Sequence, residues 1–258
     1  MNSREEQLAA VDRLLTIMDE LREQCPWDRK QTMKTLRQLT IEETYELGDA
    51  ILEDDKKEIS GELGDLLLHI VFYSKIGSET GDFDLADVAN GICEKLIRRH
   101  PHIYSDTKVS GAEEVKANWE RIKLSEGKKS VLEGVPAGLP SLVKANRIQE
   151  KVAGVGFDWE VPEQVLEKVK EELSEMEVAR AAEDRDALEA ELGDVFFSMV
   201  NYARFLGINP ENALERTNKK FISRFRFLEE RAKEAGKDLH DLSLAEMDLH
   251  WEAAKKSE

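Results

Sequence analysis

Apolar residues recur at three- and four-residue intervals over 34–53 and 56–76, and again over 161–182 and 185–206, while alternating β-branched runs are missing. That period gives each segment one apolar stripe and predicts two pairs of amphipathic helices. The breaks agree with it. Asp54-Asp55 and Asp184 suit the N-caps of the second helix in each pair, and Asn209-Pro210 supplies a cap and first turn for a later helix. Each half of the chain reads as four or five helices, so the expected fold class is all-α, a pair of helical bundles.

The polar positions on these helices repeat as well. Glu42, Glu43, Glu46, Glu62 and Asp65 return as Glu171, Glu172, Glu175, Glu191 and Asp194, each displaced by 129 residues, with "ELGD" and an apolar continuation in both copies. Five acids holding register across a gap are hard to obtain from charged-helix composition alone, and they indicate a tandem duplication. Later segments follow with small length changes. "EKLIRRH" (94–100) resembles "KKFISRF" (219–225), pairing Lys95 and Arg99 with Lys220 and Arg224. "VKANWERIK" (115–123) resembles "MDLHWEAAK" (247–255), pairing Trp119 with Trp251, and Trp27 and Trp159 each precede an acidic helix. The segment "GKKSVLEGVPAGLP" breaks helices and marks a connection. The expected domains are therefore 1–126 and 141–258, joined by a linker over 127–140.

Charge narrows the partners. With 54 acidic against 37 basic residues the net charge is −17, which argues against general binding to nucleic acid or anionic membranes. An anionic substrate needs local cations or bound metal. Cys25 and Cys93 lack metal-ligand spacing and are expected to be reduced thiols, buried or partly buried. No stretch reaches the ~18 apolar residues of a membrane span, and "MNSREEQLAA" lacks a signal core, so a cytoplasmic protein is expected.

Helical spacing puts Glu43 beside Glu46, Glu62 beside Asp65, and likewise Glu172 beside Glu175 and Glu191 beside Asp194. If each helix pair packs antiparallel across its short connection, four carboxylates meet in one patch per half. Carboxylates so placed repel unless protons or cations neutralise them, and an all-carboxylate shell suits Mg²⁺ or Mn²⁺. Ordinary solvated acids are the alternative, and the duplication in register weighs against it. His69 lies four residues after Asp65, a possible ligand pair, but its counterpart is Ser198. A helix-packing His69 is the better reading, and it weakens a di-iron centre, which needs Glu-x-x-His pairs. Lys220 and Arg224 are one turn apart and Lys168 is one turn before Glu172, a cationic rim suited to a polyphosphate. Each of these cations, taken alone, reads more readily as a solvated ion-pair partner. Trp251 and Trp119 suit either base stacking or helix docking. There is no Walker-type loop, so metals rather than backbone amides would grip the phosphates of a bound nucleotide.

"CPWDRKQT", "EETYE", "ELGDLL", "RRHPHIYSD", "SVLEGVPAGLPSL" and "NKKFISRF" together resemble the MazG family of tandem-domain nucleoside triphosphate pyrophosphohydrolases, in order and over nearly the whole chain. The resemblance implies two all-α domains per chain, homodimerisation through the bundles, and Mg²⁺-dependent hydrolysis of NTPs or dNTPs to the monophosphate and pyrophosphate. Carried onto this sequence, it implies Glu172, Glu175, Glu191 and Asp194 as metal ligands and Lys168, Glu171, Lys220, Arg224 and Trp251 as the nucleotide-binding set. In the first copy Glu43, Glu46, Glu62, Asp65, Lys95, Arg99 and Trp119 match, but Leu39 replaces the counterpart of Lys168. The expected chemistry therefore sits mainly in the second half, with water attacking the α-phosphorus, Glu171 or a ligand carboxylate taking its proton, and Lys168 stabilising the leaving charge. Two other classes fit the same acids: a nucleotide- or metal-binding regulatory module without turnover, and a di-iron carboxylate oxidase.

Overall fold

The computed structural model describes residues 1–109, 111, 114, 115, 118, 119, 122 and 130–257. The chain forms two compact units, Met1–Gly111 and Ala112–Glu258. The described residues contain helices and turns and no strand.

In the first unit the helices are α1 (Arg4–Gln24), α2 (Met33–Glu53), α3 (Lys56–Thr80), α4 (Leu85–Arg99) and the short α5 (Pro101–Tyr104). The α2–α3 pair is the unit's most extensive helix contact. Its connection is two residues long because Asp54 takes a left-handed conformation (φ 57°) and the Asp55 carboxylate accepts the amides of Lys57 and Glu58. So tight a turn makes the helices antiparallel neighbours. The core joins Met18 of α1, Leu36 of α2 and Val71 and Phe72 of α3, with Leu39, Leu68 and Tyr73 packed against it. Arg22 of α1 forks onto Glu79 of α3 at 2.8 and 2.5 Å.

In the second unit the helices are α6 (Ser141–Ala153), α7 (Pro162–Ala181), α8 (Arg185–Phe205), α9 (Pro210–Glu234) and α10 (Leu244–Ser257). Here α7 and α8 form the dominant pair; α6 lies on α8, and α10 lies on α9. Asp184 caps α8 by accepting the Ala187 amide, and Asn209 caps α9 by accepting the Asn212 amide, with Pro210 in its first turn. Gln149 of α6 is buried and donates to the Phe197 carbonyl of α8 at 2.8 Å.

The glycine- and proline-rich connection is described from residue 130 onward; 127–129 and most of 115–123 lie outside the described residues. Residues 130–140 are pinned to α6, since Lys144 donates to the Ala137 carbonyl at 2.7 Å and buried Lys151 to the Val131 carbonyl at 3.1 Å. These contacts attach residues 130–140 to the second of the two compact units. Both cysteines are free, but Cys93 is exposed rather than buried, because α4 buries none of its residues.

Candidate active site

Each helix pair carries its acids to one place. On α2 and α3, carboxylate oxygens of Glu43, Glu46 and Glu62 lie within 4.8 Å of one another; on α7 and α8, those of Glu172, Glu175 and Glu191 do the same. The E-x-x-E spacing turns two glutamates towards the partner helix, and the antiparallel hairpin brings the third opposite them. Asp65 and Asp194, expected as fourth members, stand outside these triads. Asp65 acts on Glu43 through its charge, while Asp194 lines a cavity with Lys168 and Glu172.

The clustering has an electrostatic cost. Burial, then the charges of Asp65 and Glu46, push the Glu43 carboxyl above the usual carboxylate range. Burial followed by Glu46 and Glu43 does the same to Glu62, and burial followed by Glu172 and Glu191 does it to Glu175. One Glu62 oxygen, Oε2, is buried without a hydrogen-bond partner among the described residues. An all-oxygen donor set with an orphaned oxygen fits a hard divalent cation. Carboxylate oxygens gathered this closely would need only small side-chain adjustments to share one ion.

The two patches differ in their nearest cation. Lys168 sits 2.8 Å from both Glu171 and Glu172, on the buried side of α7 where Glu172 is only 7% exposed. Its bonds to Glu171 and then Glu172 hold the ammonium above the ordinary lysine range. In the first unit Leu39 holds that position and packs against the core. Glu42, the counterpart of Glu171, accepts only a 3.3 Å bond from Gln38 among the bonds described here. His69 is buried beside Tyr73, its ring centroid 6.5 Å away, and burial depresses its pKa against the opposing charge of Asp65. It is a packing histidine.

Of the remaining expected residues, Arg224 and Trp251 are brought together. On α9 and α10 the Arg224 guanidinium lies 5.8 Å from the Trp251 ring centroid, and Phe221 packs on Trp251 at 4.9 Å. Lys220 is exposed one turn before Arg224, and in the first unit Lys95 is exposed and Arg99 half-buried at the end of α4. Trp119 falls in the second compact unit.

Sequence reasoning missed a cavity of about 170 Å³ next to the second triad, lined by Lys168, Glu172, Asp194, Trp159, Phe197 and Asn201. Trp159 was visible as part of "GFDW", but Phe197 and Asn201 read as ordinary positions in an apolar helix.

Fold and site together define an all-α protein in which duplicated helix hairpins gather glutamates into paired carboxylate clusters. The family model for the MazG nucleotide pyrophosphohydrolase domain matches twice, over residues 31–104 and 160–226, that is, over both hairpins. The chain belongs to the MazG family. It is 43% identical over 257 residues to the nucleoside triphosphate pyrophosphohydrolase of Escherichia coli K12, covering 96% of this chain and 98% of that one. It is 44% identical over 249 residues to the Thermotoga maritima protein named nucleoside triphosphate pyrophosphohydrolase/pyrophosphatase MazG, covering 95% of each chain. A Bacillus subtilis protein, YabN, is 48% identical over 238 residues, which are 91% of this chain and 49% of YabN.

Proposed function

We propose that this chain hydrolyses nucleoside triphosphates between the α and β phosphates, releasing the monophosphate and pyrophosphate, with the chemistry in the second unit. The family and the names of its near-full-length relatives support the reaction. The observation that carries the assignment to one unit is Lys168, paired at 2.8 Å with both Glu171 and Glu172 where the first unit has Leu39.

Mg²⁺, or Mn²⁺ in its place, held by Glu172, Glu175 and Glu191 with Asp194 nearby, would neutralise the triphosphate and lower the pKa of an attacking water. Lys168 stands where charge gathers on the departing pyrophosphate, and its fixed ammonium stabilises that charge. Glu171 is more than half exposed and aligned by Lys168, so its carboxylate is placed to take the water's proton as the new bond to the α-phosphorus forms. Lys220 and Arg224 add positive charge for the phosphates, and Trp251 braces Arg224. Glu43, Glu46, Glu62 and Asp65 form a cation-binding patch, with Lys95, Arg99 and Trp119 as counterparts of the nucleotide set. Leu39 makes it a site of binding rather than turnover.

The chain works as a homodimer. Leu192, Phe196 and Met199 make one exposed stripe on α8, and Leu63, Leu67 and Ile70, their counterparts 129 residues earlier, make the same stripe on α3. Apolar rows of this kind mark association surfaces. No helix among the described residues is long and apolar enough to cross a membrane. Two free cysteines and an NTP substrate suit the cytoplasm.

Product analysis tests the reaction. Incubation with NTP and Mg²⁺ is expected to yield pyrophosphate and the monophosphate in equal amounts. Release of orthophosphate alone, or no turnover, rules the reaction out, and bound iron with redox activity points to the oxidase class.

A further inference from the structure

We propose that Lys168 is an internal counter-ion of the second triad: it holds Glu172 in the nucleotide-free protein, so that the second unit takes its divalent cation together with the triphosphate, whereas the first unit takes one alone. This rests on the reading of both triads as cation-binding sets. The Lys168 ammonium bridges Glu171 and Glu172 at 2.8 Å each. The two carboxylates differ in their surroundings, the Glu171 side chain being 57% exposed and the Glu172 side chain 9%. Water satisfies Glu171 without help, but a carboxylate as enclosed as Glu172 needs a positive partner, and Lys168 supplies it. A metal ion drawn to Glu172 meets that ammonium first: its charge repels the ion, and it competes for the same carboxylate lone pairs.

Lys168 can give up Glu172 without being stranded. It lines the cavity of about 170 Å³ together with Glu172 and Asp194, which leaves its head room to turn. An ammonium has three N–H donors, so it can keep Glu171 while another donor turns to an incoming phosphate oxygen. The metal then replaces the ammonium at Glu172, and a phosphate replaces Glu172 at the ammonium. Each ligand relieves the cost of binding the other, which is positive coupling, and by linkage each strengthens the other by the same factor.

The duplication supplies an internal comparison. Displaced by 129 residues, Lys168, Phe197 and Asn201 correspond to Leu39, Leu68 and Phe72. In the first unit these are core: Phe72 is 2% exposed, and Leu39 and Leu68 pack against it and its buried neighbours. That position therefore offers no ammonium to Glu43, the counterpart of Glu172. With the same three glutamates and no lysine at that position to compete for them, the first triad is open to a metal ion that arrives by itself.

Mn²⁺ binding without nucleotide reads this directly in the full-length protein, by the electron paramagnetic resonance signal of the free ion and by calorimetry. The first patch is silenced with Glu43→Gln, and Lys168→Met, Lys168→Gln or Lys170→Met is added to that chain, with circular dichroism melts confirming folding. Lys170 controls for charge alone, because it lies on the same helix but pairs with Glu167. Glu43→Gln is expected to lose the tight nucleotide-free site of wild type. Either Lys168 substitution is expected to tighten the remaining Mn²⁺ binding about tenfold or more, the range of one charge-assisted hydrogen bond, while Lys170→Met has little effect. Unchanged or weaker binding in both Lys168 variants, or an equal gain with Lys170→Met, overturns the counter-ion and leaves the metal reading in place. Mn²⁺ uptake by the Glu43→Gln/Lys168→Met chain that a further Glu172→Gln does not reduce counts against the second triad as a metal site, and against the counter-ion with it.

Discussion

Lys168 is the residue on which the difference between the halves turns. Its ammonium contacts two carboxylates at 2.8 Å, one of them the buried triad member Glu172, an arrangement that Leu39 cannot reproduce. Lys168→Met is expected to lower kcat/KM by about 10²-fold or more, the usual cost of removing one fixed electrostatic partner of the transition state. Steady-state kinetics read this directly, and the folding of the variant is checked by its melting curve. The acids make a second prediction. Glu43, Glu62 and Glu175 titrate above the ordinary carboxylate value in the metal-free fold, burial being the first cause and neighbouring acids the next. A raised folded pKa favours the fold while the group is protonated, and that contribution is lost as pH rises from the usual carboxylate value through the raised one. Cation binding relieves the repulsion only once the groups are charged. Mg²⁺ is therefore expected to raise Tm more at about pH 8 than at about pH 5, as scanning fluorimetry with and without the ion measures; an equal shift at both contradicts the assignment. The acids were legible in the sequence because helical spacing fixes which of them share a face.

Among the elements, the two helix hairpins are the most legible feature. Expected segments 34–53 and 185–206 appear as Met33–Glu53 and Arg185–Phe205, since caps and apolar period are local signals. Helix α3 runs on to Thr80, past the expected end at 76, and stops where Gly81 takes a positive φ of 71°. Asp184 closes the α7–α8 turn through the Ala187 amide, so Asp184→Ala is expected to cost about 1 kcal/mol in denaturant unfolding. Activity should fall with it only insofar as Glu191 shifts. The cavity beside α8 was not legible for a different reason: an amphipathic pattern says that Phe197 and Asn201 share a helix, not that the space before them is left empty. Its emptiness depends on what α7 and the Trp159 segment place opposite, which is tertiary information. The comparison with Leu39, Leu68 and Phe72 becomes meaningful only once those residues are seen to be core.

For the whole molecule, duplication is the organising fact, and five acids in register make it visible in the sequence. Gly and Pro mark where helices stop and not which unit a segment packs on; Lys144 and Lys151 tie residues 130–140 to α6. The repeated apolar stripe, Leu63/Leu67/Ile70 and Leu192/Phe196/Met199, predicts association. Phe196→Glu is expected to shift the protein from dimer to monomer in sedimentation velocity, and a wild-type monomer at micromolar concentration contradicts the dimer. The measurement closest to the central claim pairs two equivalent substitutions, Glu172→Gln and Glu43→Gln, and follows pyrophosphate and monophosphate release from NTP with Mg²⁺. Release is expected to fall about 10²-fold or more for Glu172→Gln and to stay near wild type for Glu43→Gln; equal partial losses in both, or loss only in Glu43→Gln, contradict the placement of the chemistry in the second unit.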